Sequence, residues 1–133
     1  MNLTLLLKLA ALTHVGLIAA GLLMPVASGL WAETAKLSPF GRRLFKIYYA
    51  YIGLCLIGFG LGSWFFAEEL ASGGPLARGV CGLLTCFWLL RFIAVWLLDV
   101  RPYLTNGWWR LGYQTSNGVI GLLPCLYAWA TFR

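Results

Sequence analysis

The sequence predicts an all-α polytopic membrane protein, folded as one domain of residues 1–133 into an up-down antiparallel bundle of four transmembrane helices. Hydrophobic residues make up 61% of the chain and charged residues only 11%, whereas soluble domains average roughly 45–50% and about 25%. Four stretches are long and apolar enough to cross a bilayer. The two-residue alternation that is typical of barrel strands is absent.

The four predicted spans are the stretches that lie between charged residues. A bilayer core about 30 Å thick needs roughly 20 apolar residues of helix. Residues 9–32, 47–67 and 111–132 contain no charged residue, and residues 79–98 contain only Arg91. Because lipid offers no water to backbone groups, we expect each span to be helical. The first span is longer than the apolar core of a signal peptide, and we expect it to be retained.

Short connections predict that consecutive helices are antiparallel neighbours. Turn-forming residues lie in each connection, at Ser38-Pro39, Ser72-Gly73-Gly74-Pro75 and Asn106-Gly107. Aromatic residues near the predicted helix ends are typical of membrane interfaces. They are Trp31, Tyr48, Tyr49, Trp64, Phe65, Trp108 and Trp109.

The distribution of Lys and Arg predicts the orientation. The first and third loops hold six of these cations, whereas the N-terminus, second loop and C-terminus together hold three. Because cytoplasmic loops carry the excess of positive charge, we expect the first and third loops in the cytoplasm and both termini outside. In a bacterial host this is a multi-pass protein of the inner membrane.

Small and polar residues recur at helical spacing, which predicts the faces that pack together. The predicted inner faces are His14, Gly21, Pro25 and Ser28 on the first helix, Tyr48, Tyr51, Cys55, Gly58 and Gly62 on the second, Cys81, Leu84, Trp88, Arg91 and Val95 on the third, and Gln114, Asn117, Gly121 and Cys125 on the fourth. Close helix approach is expected at Gly21, Gly58, Gly62 and Gly121.

Arg91 is the main candidate for a functional residue. An arginine in hydrocarbon costs about 2.5–3.5 kcal/mol on insertion scales, so it usually faces an interior or a cavity. Counted from Leu98, Arg91 lies roughly 10 Å deep. The predicted ligand site at this depth consists of Arg91, Gln114, Asn117, Tyr48, Tyr51 and Trp88. This site would bind a lipid headgroup, a quinone carbonyl or an anionic substrate; alternatively, Arg91 snorkels to the interface or bonds to Asn117.

The remaining chemistry-bearing residues predict no catalytic set, metal site or cofactor. His14 is the only histidine, which excludes bis-histidine haem ligation within one chain; it is expected in the opposite half of the bilayer from Arg91. The four cysteines contain no C-x-x-C pair and are expected to be apolar fillers. All four acidic residues lie at helix ends or in loops, so no carboxylate is left in the hydrocarbon to carry protons.

Three classes of function follow. The first is a non-catalytic component of a membrane complex: an accessory subunit, assembly factor or scaffold, whose partners are membrane lipids and either copies of itself or other subunits. The second is a binder of a lipid, quinone or isoprenoid through the Arg91 site, with or without turnover. The third is a small oligomeric transporter or channel. Nucleic acid is not an expected partner, because the cations do not gather on one soluble basic face.

Overall fold

A computed structural model describes residues 2–133 apart from the Arg101 side chain, one of the six loop cations counted above. The described chain is helical and contains no strand, which confirms the all-α prediction. Its elements are α1 (Leu3–Ala27), α2 (Leu30–Ala35), α3 (Pro39–Phe65), α4 (Ala67–Ala71), α5 (Pro75–Leu97), a short 3-10 turn (Arg101–Tyr103) and α6 (Gly107–Phe132).

Three of the four long helices are long and apolar enough to cross a membrane. They are α1, α3 and α5, of 25, 27 and 23 residues, and they indicate a membrane protein. The fourth helix, α6, has 26 residues but is less apolar, since it contains Gln114, Asn117 and Pro124. The fourth span and the up-down bundle therefore stay predictions.

Turn residues singled out in the sequence begin the helices. The Ser38 Oγ accepts a hydrogen bond from the Gly41 N–H at 3.1 Å, and the Asn106 Oδ1 accepts one from the Trp108 N–H at 3.3 Å. Such side-chain acceptors satisfy amides that have no partner in the first helical turn. Helix α5 begins with Pro75, whose fixed φ suits the first helical position.

The first long helix differs from the predicted span 9–32. It begins at Leu3 and ends at Ala27, because Gly29 adopts φ +67°. This left-handed conformation is accessible to glycine without the steric cost of a Cβ. The chain then re-enters a helix as α2, which the apolar pattern did not predict.

Buried residues are unevenly distributed between the two halves of the molecule. Ser63 is the one buried residue of α3, and the buried residues of α5 run from Ala77 to Trp88. Asn2 and Arg133 line one crevice with residues of the α4–α5 turn, so both ends of the described chain lie in the same half as α4. The apolar core is Leu3, Leu7, Ala10, Leu17, Ala67, Leu70, Ala77, Cys81, Leu84, Trp88, Ile120, Leu123, Tyr127 and Ala130.

Helices α5 and α6 pack against each other as an antiparallel pair. A Cβ added at Gly82 would lie 3.7 Å from Thr131, and one added at Gly121 would lie 3.1 Å from the Phe92 ring. Residues later in α5 therefore contact residues earlier in α6, as expected for antiparallel helices. Gly121 is one of the four glycines predicted to allow close approach.

Helices α1 and α3 form a second antiparallel pair. A Cβ added at Gly60 would lie 3.1 Å from the Cβ of His14, whereas Gly21, Gly58 and Gly62 have open space at that position. The Tyr49 hydroxyl donates a hydrogen bond to the Gly21 carbonyl. Within one chain, the close approach on α3 is thus at Gly60 rather than at the predicted Gly58 and Gly62.

Candidate functional site

Arg91 lies on the exposed surface of α5. Its neighbours Leu90 and Ile93 are also exposed, so the guanidinium belongs to an apolar surface. Arg91 makes no hydrogen bond or ion pair with any residue that the structure describes. The predicted interior position of this side chain is therefore not seen within a single chain.

Arg91 lies deeper in the molecule than its distance from the end of α5 suggests. Its neighbour Phe92 lies against Gly121, which is near the middle of α6. The first cation of α6, Arg110, is eleven residues before Gly121, or about 16 Å along the helix. This distance exceeds the roughly 10 Å counted from Leu98, because α6 extends further than α5 from the Phe92–Gly121 contact.

His14 is close to the level of Arg91 along the helices, although the sequence predicted the two side chains in opposite halves of the bilayer. The His14 and Trp88 rings lie edge to face, with their centroids 5.2 Å apart. Arg91 follows Trp88 by three residues, about 4.5 Å along α5. Both side chains thus belong to the middle of the molecule.

A cleft between α3 and α5 begins where these helices touch. The Phe59 and Phe87 rings are in contact, with centroids 4.8 Å apart. Residues at helical spacing from Phe59 share its face of α3, and residues at this spacing from Phe87 share its face of α5. Beyond the phenylalanine pair, these are Tyr48, Ile52 and Cys55 on α3, and Arg91 and Ala94 on α5.

These five residues define the α3–α5 cleft. Tyr48, Ile52, Cys55 and Arg91 are exposed and Ala94 is half-buried, although all continue the faces that meet at the phenylalanine pair. This exposure indicates that the two helices separate beyond that pair. Cys55 and Arg91 each lie four residues beyond it, so they occupy the same level on opposite walls.

The structure separates most of the predicted ligand site. Arg91 and Tyr48 border the same cleft but lie about 10 Å apart along the helices. Trp88 is only 2% exposed and belongs to the core, whereas Tyr51 is 61% exposed. No described hydrogen bond joins any two of the six predicted residues.

The two polar residues of α6 are also separated from Arg91 along the helix axis. Gly121 marks the level of Arg91, and Gln114 precedes it by seven residues, about 10 Å. Asn117 precedes it by four residues, about 6 Å. Gln114 is exposed and Asn117 half-buried.

A buried polar pair that the sequence analysis missed joins α3 to α6. The Ser63 Oγ and the Tyr127 hydroxyl lie 2.6 Å apart, and either can donate. Both residues are almost completely buried. Ser63 is the only serine or threonine of the span 47–67, and Tyr127 is the only tyrosine in the second half of α6; this isolation is the signal that could have identified them.

His14 and Trp88 form the second polar feature of the interior. The His14 Nδ1 donates to the Ala10 carbonyl at 2.7 Å, which leaves its Nε2 as an acceptor when the ring is neutral. That Nε2 and the Trp88 Nε1 are buried without a hydrogen-bond partner. Two rings that are in contact in the core thus carry an acceptor and a donor that are buried without partners.

The outer surface also carries an apolar groove of about 340 Å³ between α1 and α3. His14 and Gly60 lie at a close approach of these helices, and Leu12, Ile57 and Trp64 are among the residues that line the groove. No sequence pattern had indicated this groove. Its lining suits an acyl chain or another apolar group.

The cysteines and the acidic residues form neither a disulfide nor a group of metal ligands in the described part of the chain. Cys81 is buried, while Cys55, Cys86 and Cys125 are exposed; all four are free. In the part of the chain that the structure describes, no three His, Cys, Asp or Glu residues gather as metal ligands.

The chain matches no family model, and neither a curated protein nor a solved structure is significantly similar to it.

Proposed function

We propose that this chain is a small, non-catalytic integral component of a membrane complex, acting as an accessory subunit, assembly factor or scaffold. The observation that carries this proposal is Arg91. Its side chain is exposed on an apolar helix and lies near the level of the middle of α6. A guanidinium facing lipid at such a depth costs about 2.5–3.5 kcal/mol on insertion scales, and a partner subunit that covers it removes this cost.

We further propose that α6 is the fourth span. It packs along α5 and α1, two helices that are themselves apolar enough to cross a membrane. The excess of Lys and Arg in the first and third loops favours a cytoplasmic location for those loops. The proposed setting is the inner membrane of a bacterium, with both termini outside and the α3–α5 cleft in the cytoplasmic half.

The test is the composition of the assembly that contains this chain. The chain is expressed in its native membrane, extracted into nanodiscs without detergent and weighed by native mass spectrometry. We expect a defined assembly heavier than one chain, and Arg91→Leu is expected to release the chain from it. The matched control is Arg78→Leu, which removes an exposed cation near the start of the same helix and should leave the assembly intact.

Two results would contradict the proposal. One is recovery of the wild-type chain as a lone protomer. The other is an assembly of unchanged mass and stoichiometry in the Arg91→Leu variant, which would show that the exposed guanidinium is not what holds it.

A second candidate function, binding of a lipophilic ligand, is supported by the α1–α3 groove. Its test is native mass spectrometry of the ligand retained by the wild-type chain and by Leu12→Trp, which fills the groove. Leu5→Trp is the matched control, because Leu5 is exposed on the same helix but does not line the groove. Equal retention by both variants would argue against this function.

A further inference from the structure

We propose that the α3–α5 cleft binds a membrane-spanning helix of another protein, and that this helix carries a carboxylate that pairs with Arg91. The inference rests on the proposed function, since it names the partner of the same exposed residue. It follows from three features: the depth of Arg91, the location of this chain's own acidic residues, and the shape of the cleft.

The depth of Arg91 favours a partner inside the membrane over a lipid headgroup. Arg91 lies about 16 Å along the helix axis from the level of Arg110. Phosphates lie at the membrane surface, about 15 Å from the middle of a hydrocarbon core 30 Å thick. A group that meets this guanidinium without drawing it to the surface must itself lie in the hydrocarbon.

The chemistry of that group is set by charge. A guanidinium in a medium of low dielectric is best matched by a carboxylate, which accepts two parallel hydrogen bonds and neutralises the charge. The acidic residues of this chain lie outside the three candidate spans: Glu33 in α2, Glu68 and Glu69 in α4, and Asp99 after α5. A second copy therefore brings no carboxylate to the level of Arg91.

The cleft provides a place for a helix. Beyond the Phe59–Phe87 contact, the two faces leave mainly apolar and small side chains uncovered around the single charge, namely Ile52, Cys55 and Ala94. Small residues at helix interfaces in membranes let backbones approach closely. A partner helix lying along this cleft covers these residues and places its carboxylate at the level shared by Cys55 and Arg91.

The experiment uses a synthetic helix of defined sequence as the probe. The peptide is an alternating Leu-Ala span of about 20 residues with lysines at both ends and one central Glu. Its association with the full chain is measured in phosphatidylcholine vesicles by energy transfer, with the donor attached after Arg133 and the acceptor on the peptide. Matched peptides carry Gln or Leu at the centre, or the Glu two turns nearer either end.

We expect the central-Glu peptide to bind about tenfold more tightly than the Gln and Leu peptides, which corresponds to about 1.4 kcal/mol. Moving the Glu toward either end should weaken binding. Arg91→Leu should abolish the preference for Glu, Arg91→Lys should keep part of it, and Arg78→Leu should keep all of it. Circular dichroism of each variant confirms that it is folded.

The proposal is overturned if Glu and Gln peptides bind equally, or if Arg91→Leu keeps the preference for Glu. If the chain self-associates in the absence of peptide, and if this association depends on Arg91, the cleft is assigned to a second copy. Displacement of the peptide by phosphatidylglycerol would assign it to an anionic lipid. If the assembly in nanodiscs depends on Arg91 but the peptides show no preference for Glu, only the inference of a carboxylate-bearing partner is refuted. Recovery of a lone protomer in nanodiscs would instead refute the proposed function.

Discussion

The approach of α1 to α3 at Gly60 makes a quantitative prediction. A Cβ at residue 60 would lie 3.1 Å from the Cβ of His14, whereas carbon atoms pack best at about 3.5–4.0 Å. Gly60→Ala therefore forces the helices apart by a few tenths of an ångström, because a Cβ is fixed to the backbone and cannot rotate away. Such overpacking typically costs about 1–3 kcal/mol.

Gly58→Ala is the matched control, because Gly58 lies on the same helix with open space at its Cβ position. Both substitutions gain the same helix propensity, about 0.5–1 kcal/mol, so their difference isolates the contact with His14. We expect Gly60→Ala to be less stable than Gly58→Ala by about 1–3 kcal/mol.

The assay is equilibrium unfolding of the purified protein by SDS in mixed micelles, followed by tryptophan fluorescence. The free energy of unfolding is compared between the two variants under identical lipid and detergent composition. Equal stabilities, within about 0.5 kcal/mol, would refute the reasoning. They would mean that α1 and α3 do not approach at Gly60.

The other predictions use the same unfolding assay. In a double-mutant cycle, Ser63→Ala and Tyr127→Phe should show a coupling free energy of about 0.6–1.7 kcal/mol, in the range measured for hydrogen bonds between membrane helices. A coupling of zero would contradict the hydrogen bond between Ser63 and Tyr127. Gly29→Ala should destabilise the chain by about 1–2 kcal/mol, the cost of a left-handed conformation with a Cβ, and an unchanged free energy of unfolding would contradict the break at that residue. Trp88→Ala should lower the free energy of unfolding by about 3–5 kcal/mol, because it truncates a buried aromatic side chain. Trp96→Ala, at a side chain that is 78% exposed, should change it by no more than about 0.5 kcal/mol. Similar losses in the two variants would contradict the placement of Trp88 in the core.

The long helices could be predicted from the sequence because their signals are local. Apolar length and the turn residues at Ser38 and Asn106 depend on neighbours within a few positions. The short helices α2 and α4 escaped prediction because each crosses the end of a predicted span and continues into glutamate-containing residues that are typical of a connection. At the first of them, only the backbone conformation of Gly29 separates one helix from the next.

The packed face of α3 could not be predicted from the spacing of polar residues. Tyr48, Tyr51 and Cys55 were expected inside, yet the face that packs within the chain carries Tyr49, Gly60 and Ser63. In a soluble protein, the difference in polarity between core and surface identifies a helix face. A membrane helix has apolar residues on both sides, and its tyrosines gather at the interface for reasons unrelated to packing.

The depth of Arg91 depended on how neighbouring helices are aligned. Counting from Leu98 gives a smaller distance than counting along α6 from Arg110, because α6 extends further than α5 from the Phe92–Gly121 contact. The alignment is set by contacts between distant parts of the chain, such as Phe92 with Gly121. No spacing within one helix contains that information.

The uneven burial along α5 has a consequence for the motions of this chain. Its buried residues end at Trp88, so the free energy of local opening should fall from there toward Leu97. Deuterium should accordingly enter last at the hydrogen-bonded amides between Cys81 and Trp88, where the buried residues of α5 lie beyond its first turn. We therefore expect the half of the molecule that contains α4 to be the more rigid, and the half that contains Arg91 and Leu97 to open more readily.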